Sequence, residues 1–341
     1  MRLSTFLALA ACKPSEPRDG PNDRPDPDPT VDTETVPPPA TGETGTTEQT
    51  QETYDCATIP TQVGAVRQVP GAKGYHDVAF DLDGMIIGNS VFEDLLKVDF
   101  AGNVSVFVPN VGTIEQMTWL PDGDLAVASY NKGIVRVNAA GASSVINPDI
   151  YAYGLIVGPD GMLYAADSGA DKVFRVDPAT GASEVVVPAG SLPVGSPRVI
   201  AFTLDDDALL IGTYSGTQGR IYAVPLDANY DPSGPPVVYA TGVGTGAYHD
   251  AIGVDICGYL YVPDYSTSAL YRVSPSGQVQ KLLDEGFIQR DYGHGLEWGN
   301  GVGGWRLDAI YLAQPYHANN VAEVVIGAPS RDWPGVGINR P

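Results

Sequence analysis

Short apolar runs alternate with polar turns along this chain, and the alternation itself repeats. In GLIVGPDGMLYAADSGADKVFRVD, from Gly154, an apolar strand reaches a Pro-Asp-Gly step, a second apolar strand leaves it, and a third follows a polar loop. EQMTWLPDGDLAVASYNKGIVRVN, from Glu115, has the same layout. Short runs rich in β-branched and aromatic residues, bounded by Gly, Pro and Asp, predict strands rather than helices. Counting back eight residues from the turn glycine, or its equivalent, finds a polar residue in six units: His76, Glu115, Tyr153, Arg198, Asp250 and His294. Their spacings are 39, 38, 45, 52 and 44 residues. A repeat of this length with four strands per unit predicts an all-β, six-bladed β-propeller.

Unit one has strand-like runs at 78–80, 85–87, 95–98 and 104–108, and units three and five also supply four each. The sixth unit has only three, at 295–298, 309–312 and 322–326. A further run at 65–69 precedes unit one and has no unit of its own. It is expected to complete the sixth blade. Pairing of the two chain ends then closes the ring and removes an exposed sheet edge. The innermost strand of each unit lines a central channel, and the polar residue at its start faces one mouth, here called upper.

Candidate chemistry gathers at that mouth. His76 and His294 open inner strands, His249 precedes Asp250, and His317 falls in a loop expected on the same face; these are all four histidines of the chain. Tyr130, Tyr214, Tyr265 and Tyr316 come from equivalent loops, and Tyr75, Tyr248 and Tyr292 from the connections between units. With units six and one adjacent, Asp250, His294, His76 and Glu115 form one arc. Carboxylate and imidazole groups in such an arc are ligand types for zinc, iron or manganese, so one divalent metal ion in the channel is the candidate cofactor. Arg198, across the opening, is placed to hold an anionic group, and Tyr153 to give or take a proton. These two are the candidate catalytic residues. His249, His317, Tyr265 and Tyr316 are candidate ligand contacts. Two other readings stay open: a polar lining that only keeps the channel wet, and a ligand site without metal.

Composition narrows the setting. Lys and Arg total 19 against 41 Asp and Glu, for a net charge of −22. Such a surface repels phosphate backbones, so no nucleic-acid partner is expected; it suits solubility outside the cytoplasm. Met1-Arg2, the apolar run LSTFLALAA and then Leu9-Ala10-Ala11-Cys12 match a bacterial lipoprotein signal peptide, residues 1–11, with Cys12 as the lipidated residue. Its acyl chains would anchor the protein to a membrane. Residues 12–58 read as a Pro-, Thr- and acid-rich disordered linker without apolar periodicity, and residues 59–341 as the propeller. The expected location is the bacterial cell envelope, facing periplasm or exterior, as a monomer. Cys56 and Cys257 remain as a candidate disulfide in an oxidising compartment. No Gly-x-Ser-x-Gly elbow, His-Glu-x-x-His helix or calcium-loop pattern is present.

HDVAFDLDGMIIGNS, LLKVDFAGNVSVFV and the Gly154 segment resemble the six-bladed gluconolactonase/regucalcin (SMP-30) and NHL-repeat propellers over roughly residues 60–330. In the lactonase family the resemblance implies a divalent cation held by Glu, Asn, Asn and Asp at the starts of four inner strands. The matching positions here are His76, Tyr153, Arg198 and Asp250. Only Asp250 keeps the family's residue type, and a guanidinium does not ligate a cation. The set His76, His294, Tyr153 and Arg198 is also similar in kind to the peptide-amidating lyases, which are propellers with a histidine-bound zinc; His249 and His317 are the candidates for a third histidine. The leading expectation is a lipid-anchored propeller that binds a small molecule or peptide at the upper mouth. Catalysis is the less favoured alternative, as a metal-dependent hydrolase or lyase using the same residues.

Overall fold

The computed structural model describes residues 54–90, 93–214, 219–244, 248–265, 267–283, 293–314 and 320–332. The leader, Cys12, the linker up to residue 53, and Tyr292, Tyr316 and His317 lie outside the described residues.

A lone strand, β1 (Val66–Gln68), precedes the first unit. Unit one is β2 (Val78–Phe80), β3 (Ile86–Asn89), β4 (Leu95–Val98) and β5 (Val104–Val108). Unit two is β6 (Ile114–Trp119), β7 (Leu125–Ser129), β8 (Gly133–Val137) and β9 (Ser143–Asn147). Unit three is β10 (Gly154–Val157), β11 (Leu163–Asp167), β12 (Lys172–Val176) and β13 (Ser183–Val187). Unit four is β14 (Ser196–Phe202), β15 (Ala208–Tyr214), β16 (Ile221–Pro225) and β17 (Val237–Ala240). Unit five is β18 (Gly253–Val254), β19 (Leu260–Asp264), β20 (Ala269–Val273) and β21 (Val279–Leu283). Unit six has β22 (Leu296–Trp298), β23 (Ala309–Gln314) and β24 (Asn320–Val325).

Each unit is a four-stranded antiparallel sheet in chain order, except the sixth, whose outer strand is β1 paired to β24. The register sets Val66 against Val324, Arg67 against Glu323 and Gln68 against Ala322. Arg67 donates from Nε to Glu323 Oε1 at 2.7 Å and from an Nη to Oε2 at 2.9 Å, while the Tyr311 hydroxyl donates to the same carboxylate at 2.6 Å. The inner strands β22, β2, β6, β10, β14 and β18 lie side by side in that order. Units five and six pack through Tyr261, Leu270, Trp298 and Ile310, which completes the circle.

The core follows from this arrangement. A blade with two apolar faces needs a neighbour on each side, and six separate hydrophobic clusters fill the six gaps. Ile86, Leu125 and Leu163 are fully buried in them, each worth roughly 1.5–3 kcal/mol relative to exposure. Between units six and one the filler is Trp305, edge-on to Phe80, Phe100 and Tyr311, with its indole N–H donating to Gly84 O at 2.7 Å. The Gly-rich stretch around it is therefore a packed loop. The turns between first and second strands need a left-handed residue: Gly123 sits at φ 89° and Gly161 at φ 75°. Unit four has Asp206 at that turn, at φ 58°, which Asp tolerates better than most side chains.

Residues 54–58, within the stretch read as linker, are held against the propeller. Residues 56–58 form a 3-10 turn capped by the Asp55 side chain, and Cys56 is bonded to Cys257 with the two Cα atoms 5.7 Å apart. Arg272 donates to Pro60 O at 2.8 Å, and the Tyr54 hydroxyl donates to Gly327 O. The start of the domain is thus stapled beneath units five and six. Because the bond spans 201 residues, a C56S/C257S variant is expected to lose about 2–5 kcal/mol. Denaturant unfolding of wild type and variant measures this, and an unchanged midpoint would show that the staple constrains nothing.

Candidate functional site

Ring closure brings the six inner-strand starts together. His76, Glu115, Tyr153, Arg198, Asp250 and His294 line one cavity of about 10 Å³ at the upper end of the channel, with Gln116 as a seventh wall. That volume admits about one water-sized atom. Two of these positions are turned inward by irregular pairing: the register slips between Ile114 and Met117, and between Pro197 and Val199. Such bulges re-aim side chains. The first exposes both Glu115 and Gln116 to the cavity, which is why spacing alone, taking one residue per unit, missed Gln116. Its Oε1 accepts from Leu155 N at 3.0 Å and ties unit two to unit three.

The seven groups are not independent. His76 Nδ1 lies 2.6 Å from Glu115 Oε2. The rings of His76 and His294 stand 4.8 Å apart. His294 Nδ1 is 3.4 Å from Asp250 Oδ2, and Arg198 Nε donates to Asp250 Oδ1. The Arg198 guanidinium lies over Tyr153 at 4.0 Å and over Tyr214 at 4.7 Å. The result is a chain of contacts from Glu115 through His76, His294, Asp250 and Arg198 to Tyr153. Asn89 Oδ1 fixes the backbone at His76, accepting from Tyr75 N at 2.8 Å and His76 N at 2.9 Å. Tyr75 stacks on the His76 ring, and Tyr265 meets His294 edge-on at 4.7 Å.

Burial sets the charge states. His294 is held neutral, its pKa lowered to about 2, first by burial and then by the charges of His76 and Arg198. Burial raises Asp250, with Arg198 pulling the other way. Burial also raises Tyr153, with the Glu115 charge adding to it.

His249 lies apart from the cavity. It is fully buried, its Nδ1 accepts from Thr213 N at 3.3 Å, and Nε2 faces Val243 O at 2.8 Å. It braces the connection between units four and five and offers no nitrogen to a ligand. The metal expectation also fails to fit the donors. Glu115 is engaged by His76 and Asp250 by Arg198, whose guanidinium has no lone pair to give a cation. Among the described residues no three His, Cys, Asp or Glu side chains are disposed to hold a metal ion.

Outside the small cavity, a cleft of about 960 Å³ opens across the upper face of units two to four. Tyr153 and Arg198 line both spaces. Tyr130, Tyr151 and Tyr214 line the outer one, with Asp149 and Asp167. Below the cavity the channel widens to a chamber of about 140 Å³ containing Asp77 and Glu297. Burial raises both carboxyls, Glu297 to about 7. Residues 330–332 also line this chamber; Arg331 there donates to Phe202 O at 2.8 Å and also binds Thr203 O and Asp206.

No family model matches the sequence. No curated protein matches it either. Solved structures do. A gluconolactonase from Xanthomonas campestris is 13% identical, with 80% of this chain and 92% of that one covered at a TM-score of 0.63. A calcium-binding protein, regucalcin, from Agrobacterium tumefaciens is 17% identical, with 78% and 95% covered at 0.61. An auxiliary nutrient binding protein from Bacteroides thetaiotaomicron is 14% identical, with 80% and 74% covered at 0.57. At these identities the likeness shows the six-bladed fold, and function has to come from the site.

The neutral state of His294 has a readable consequence. An unfolded histidine gains its proton near pH 6.5, whereas folded His294 resists it down to about 2. Stability tied to His294 is therefore complete above about pH 6.5 and falls with pH below it, by about 1.4 kcal/mol per pH unit. Urea melts between pH 6.5 and 5 should show H294N with a shallower loss than wild type by about one proton. Parallel curves would mean that His294 titrates normally.

Proposed function

We propose that the chain is a lipid-anchored binding propeller that captures a small-molecule or peptide ligand at its upper mouth. The observation that carries this is the adjacency of two spaces: a one-atom cavity walled by seven polar side chains and a large tyrosine-lined cleft share Arg198 and Tyr153 as walls. Ligand sites are commonly concave, with aromatic walls and a few convergent polar groups. The cavity would take a single polar atom of the ligand and the cleft its body. The auxiliary nutrient binding protein has the same fold, so binding is a role this fold can serve.

The 2.6 Å contact between His76 and Glu115 favours a second reading, acid–base catalysis on a ligand held in the same place. The two readings differ in what leaves the site. A thermal-shift and native-mass screen of metabolites and short peptides is expected to find a compound that raises the melting temperature of wild type. Its affinity should weaken about tenfold or more in Tyr153→Ala, the range for losing a central aromatic contact. A ligand recovered unchanged supports binding, and recovery with altered mass supports catalysis. Binding equal in wild type and Tyr153→Ala would overturn both.

Anchoring rests on Cys12 and its preceding Leu9-Ala10-Ala11. The Cys56–Cys257 bond supports export to an oxidising compartment. Cys12→Ser is expected to move the protein from the membrane fraction to the soluble envelope fraction. Unchanged fractionation would refute lipid attachment at this residue.

A further inference from the structure

We infer that the cleft on the upper face of units two to four binds a neutral carbohydrate chain, an assignment that rests on the upper mouth being a ligand site and names what it takes. The first reason is where the aromatic surface lies. Among the described residues, the exposed tyrosines are Tyr130 at 55%, Tyr151 at 45% and Tyr214 at 46%, and all three line this one cleft. An exposed aromatic face is costly to leave in water and marks an interaction surface when it is grouped. Here Tyr153 adds a fourth ring at the inner end.

The second reason is the kind of polar group between the rings. Asn131 and Ser196 are short side chains that can both give and take hydrogen bonds, Ser168 can accept while its hydroxyl donates to Pro197 O, and Asp149 accepts, all with little rotamer entropy to lose. A pyranose ring fits this pattern. Its C–H face lies on a tyrosine ring, and its hydroxyls, each both donor and acceptor, point sideways to such groups. A hydroxyl oxygen also suits the inner cavity, which offers Arg198 and Tyr153 as donors, Glu115 as acceptor, and space for about one such atom.

Charge and backbone chemistry weigh against the competitors. In the cavity Arg198 is offset by Asp250, His294 is neutral, and Glu115 is paired with His76. Asp149 and Asp167 add negative charge outside, on a chain of net charge −22, so an acidic ligand is repelled. A cationic ligand would find Tyr153 and Tyr214 already covered by the guanidinium and only Tyr130 and Tyr151 open to it. A peptide that binds by adding a strand needs an open strand edge, and this cleft is walled by loops and by strand ends whose edges are already paired. Asp167 is spent on the backbone of its own walls: it accepts from Tyr151 N at 3.3 Å and Ala170 N at 2.9 Å, which holds the Tyr151 connection against the unit-three loop.

The test is a glycan array of neutral and anionic oligosaccharides with the full folded domain, followed by calorimetry with cellohexaose, maltohexaose, chitohexaose, hexagalacturonate and hexa-alanine. A neutral saccharide should bind, more tightly as a hexamer than as a dimer. Tyr130→Ala and Tyr151→Ala should each weaken it about tenfold or more, with the melting temperature unchanged because both residues are exposed, while Tyr151→Phe should retain most of the affinity. Binding by anionic glycans or peptides with the neutral array silent would overturn the carbohydrate assignment and leave the mouth as a ligand site. Saccharide binding unaffected by either alanine variant would overturn the cleft as its place. A silent array together with a failed metabolite and peptide screen would overturn the mouth itself.

Discussion

The whole arrangement depends on one pairing, that of β1 with β24. Blades one to five are built from continuous stretches of chain, but each is stable only when both its faces are covered. The sixth has three strands from the C-terminal side and borrows its fourth from residues 66–68. Without that strand, unit six would present an open edge. The Arg67–Glu323–Tyr311 cluster lies on this pairing, and a half-buried ion pair with three partners specifies register more than it adds stability. Register matters here because a slip of one residue would exchange the two faces of β24. The disulfide and the contacts of Pro60 and Gly327 then secure the same joint from below.

Closure also explains why polar groups can crowd the upper mouth. Six inner strands converge at their starts, so six side chains from distant parts of the chain share a space that holds about one atom. Burying that many charges is costly unless each is answered. The chain of contacts Glu115–His76–His294–Asp250–Arg198–Tyr153 answers them in turn: one acid by an imidazole, the other by a guanidinium, the guanidinium's faces by two aromatic rings, and the remaining imidazole by staying neutral. Such a network is stiff, because moving one member leaves its neighbour unsatisfied. Stiffness of this kind suits a site that receives a ligand atom without rearranging.

The fold was legible because the polar residue and the turn glycine keep a fixed separation in four of six units, and that separation is a strand plus a turn. The open sixth unit and the spare run at 65–69 could be joined by counting. The membership of the cavity was legible for the same reason. Its chemistry was not. Which acid pairs with which base depends on side-chain reach across the ring, and this turned an arc of metal-ligand types into two self-contained pairs. Gln116 was hidden because a bulge, invisible in a hydrophobic pattern, brings two consecutive residues to one space. His249 misled because it adjoins Asp250 in sequence, while the neighbouring residue of a strand start points to the other face. Tyr151 and Asp149 lie in a connection between units, where no repeat predicts direction.

The pairing of charges at the mouth does from within what a bound cation could do. A cation held by acidic side chains neutralises them and fixes their geometry. Here the same work is done from within: Arg198 supplies positive charge to Asp250, and His76 engages Glu115. Arg198 is more than a replacement charge, because its flat guanidinium can lie between Tyr153 and Tyr214 while Nε still reaches the carboxylate. It thereby connects the channel to the aromatic cleft, which a spherical ion in the channel would not do. A lysine at 198 could neutralise Asp250, but its ammonium has no planar face to set between two rings. Arg198 thus shapes the opening as well as setting its charge, as a platform shared by the cavity and the cleft. A ring-shaped ligand on that platform would be recognised by stacking and hydroxyl contacts, above a floor of side chains paired with one another.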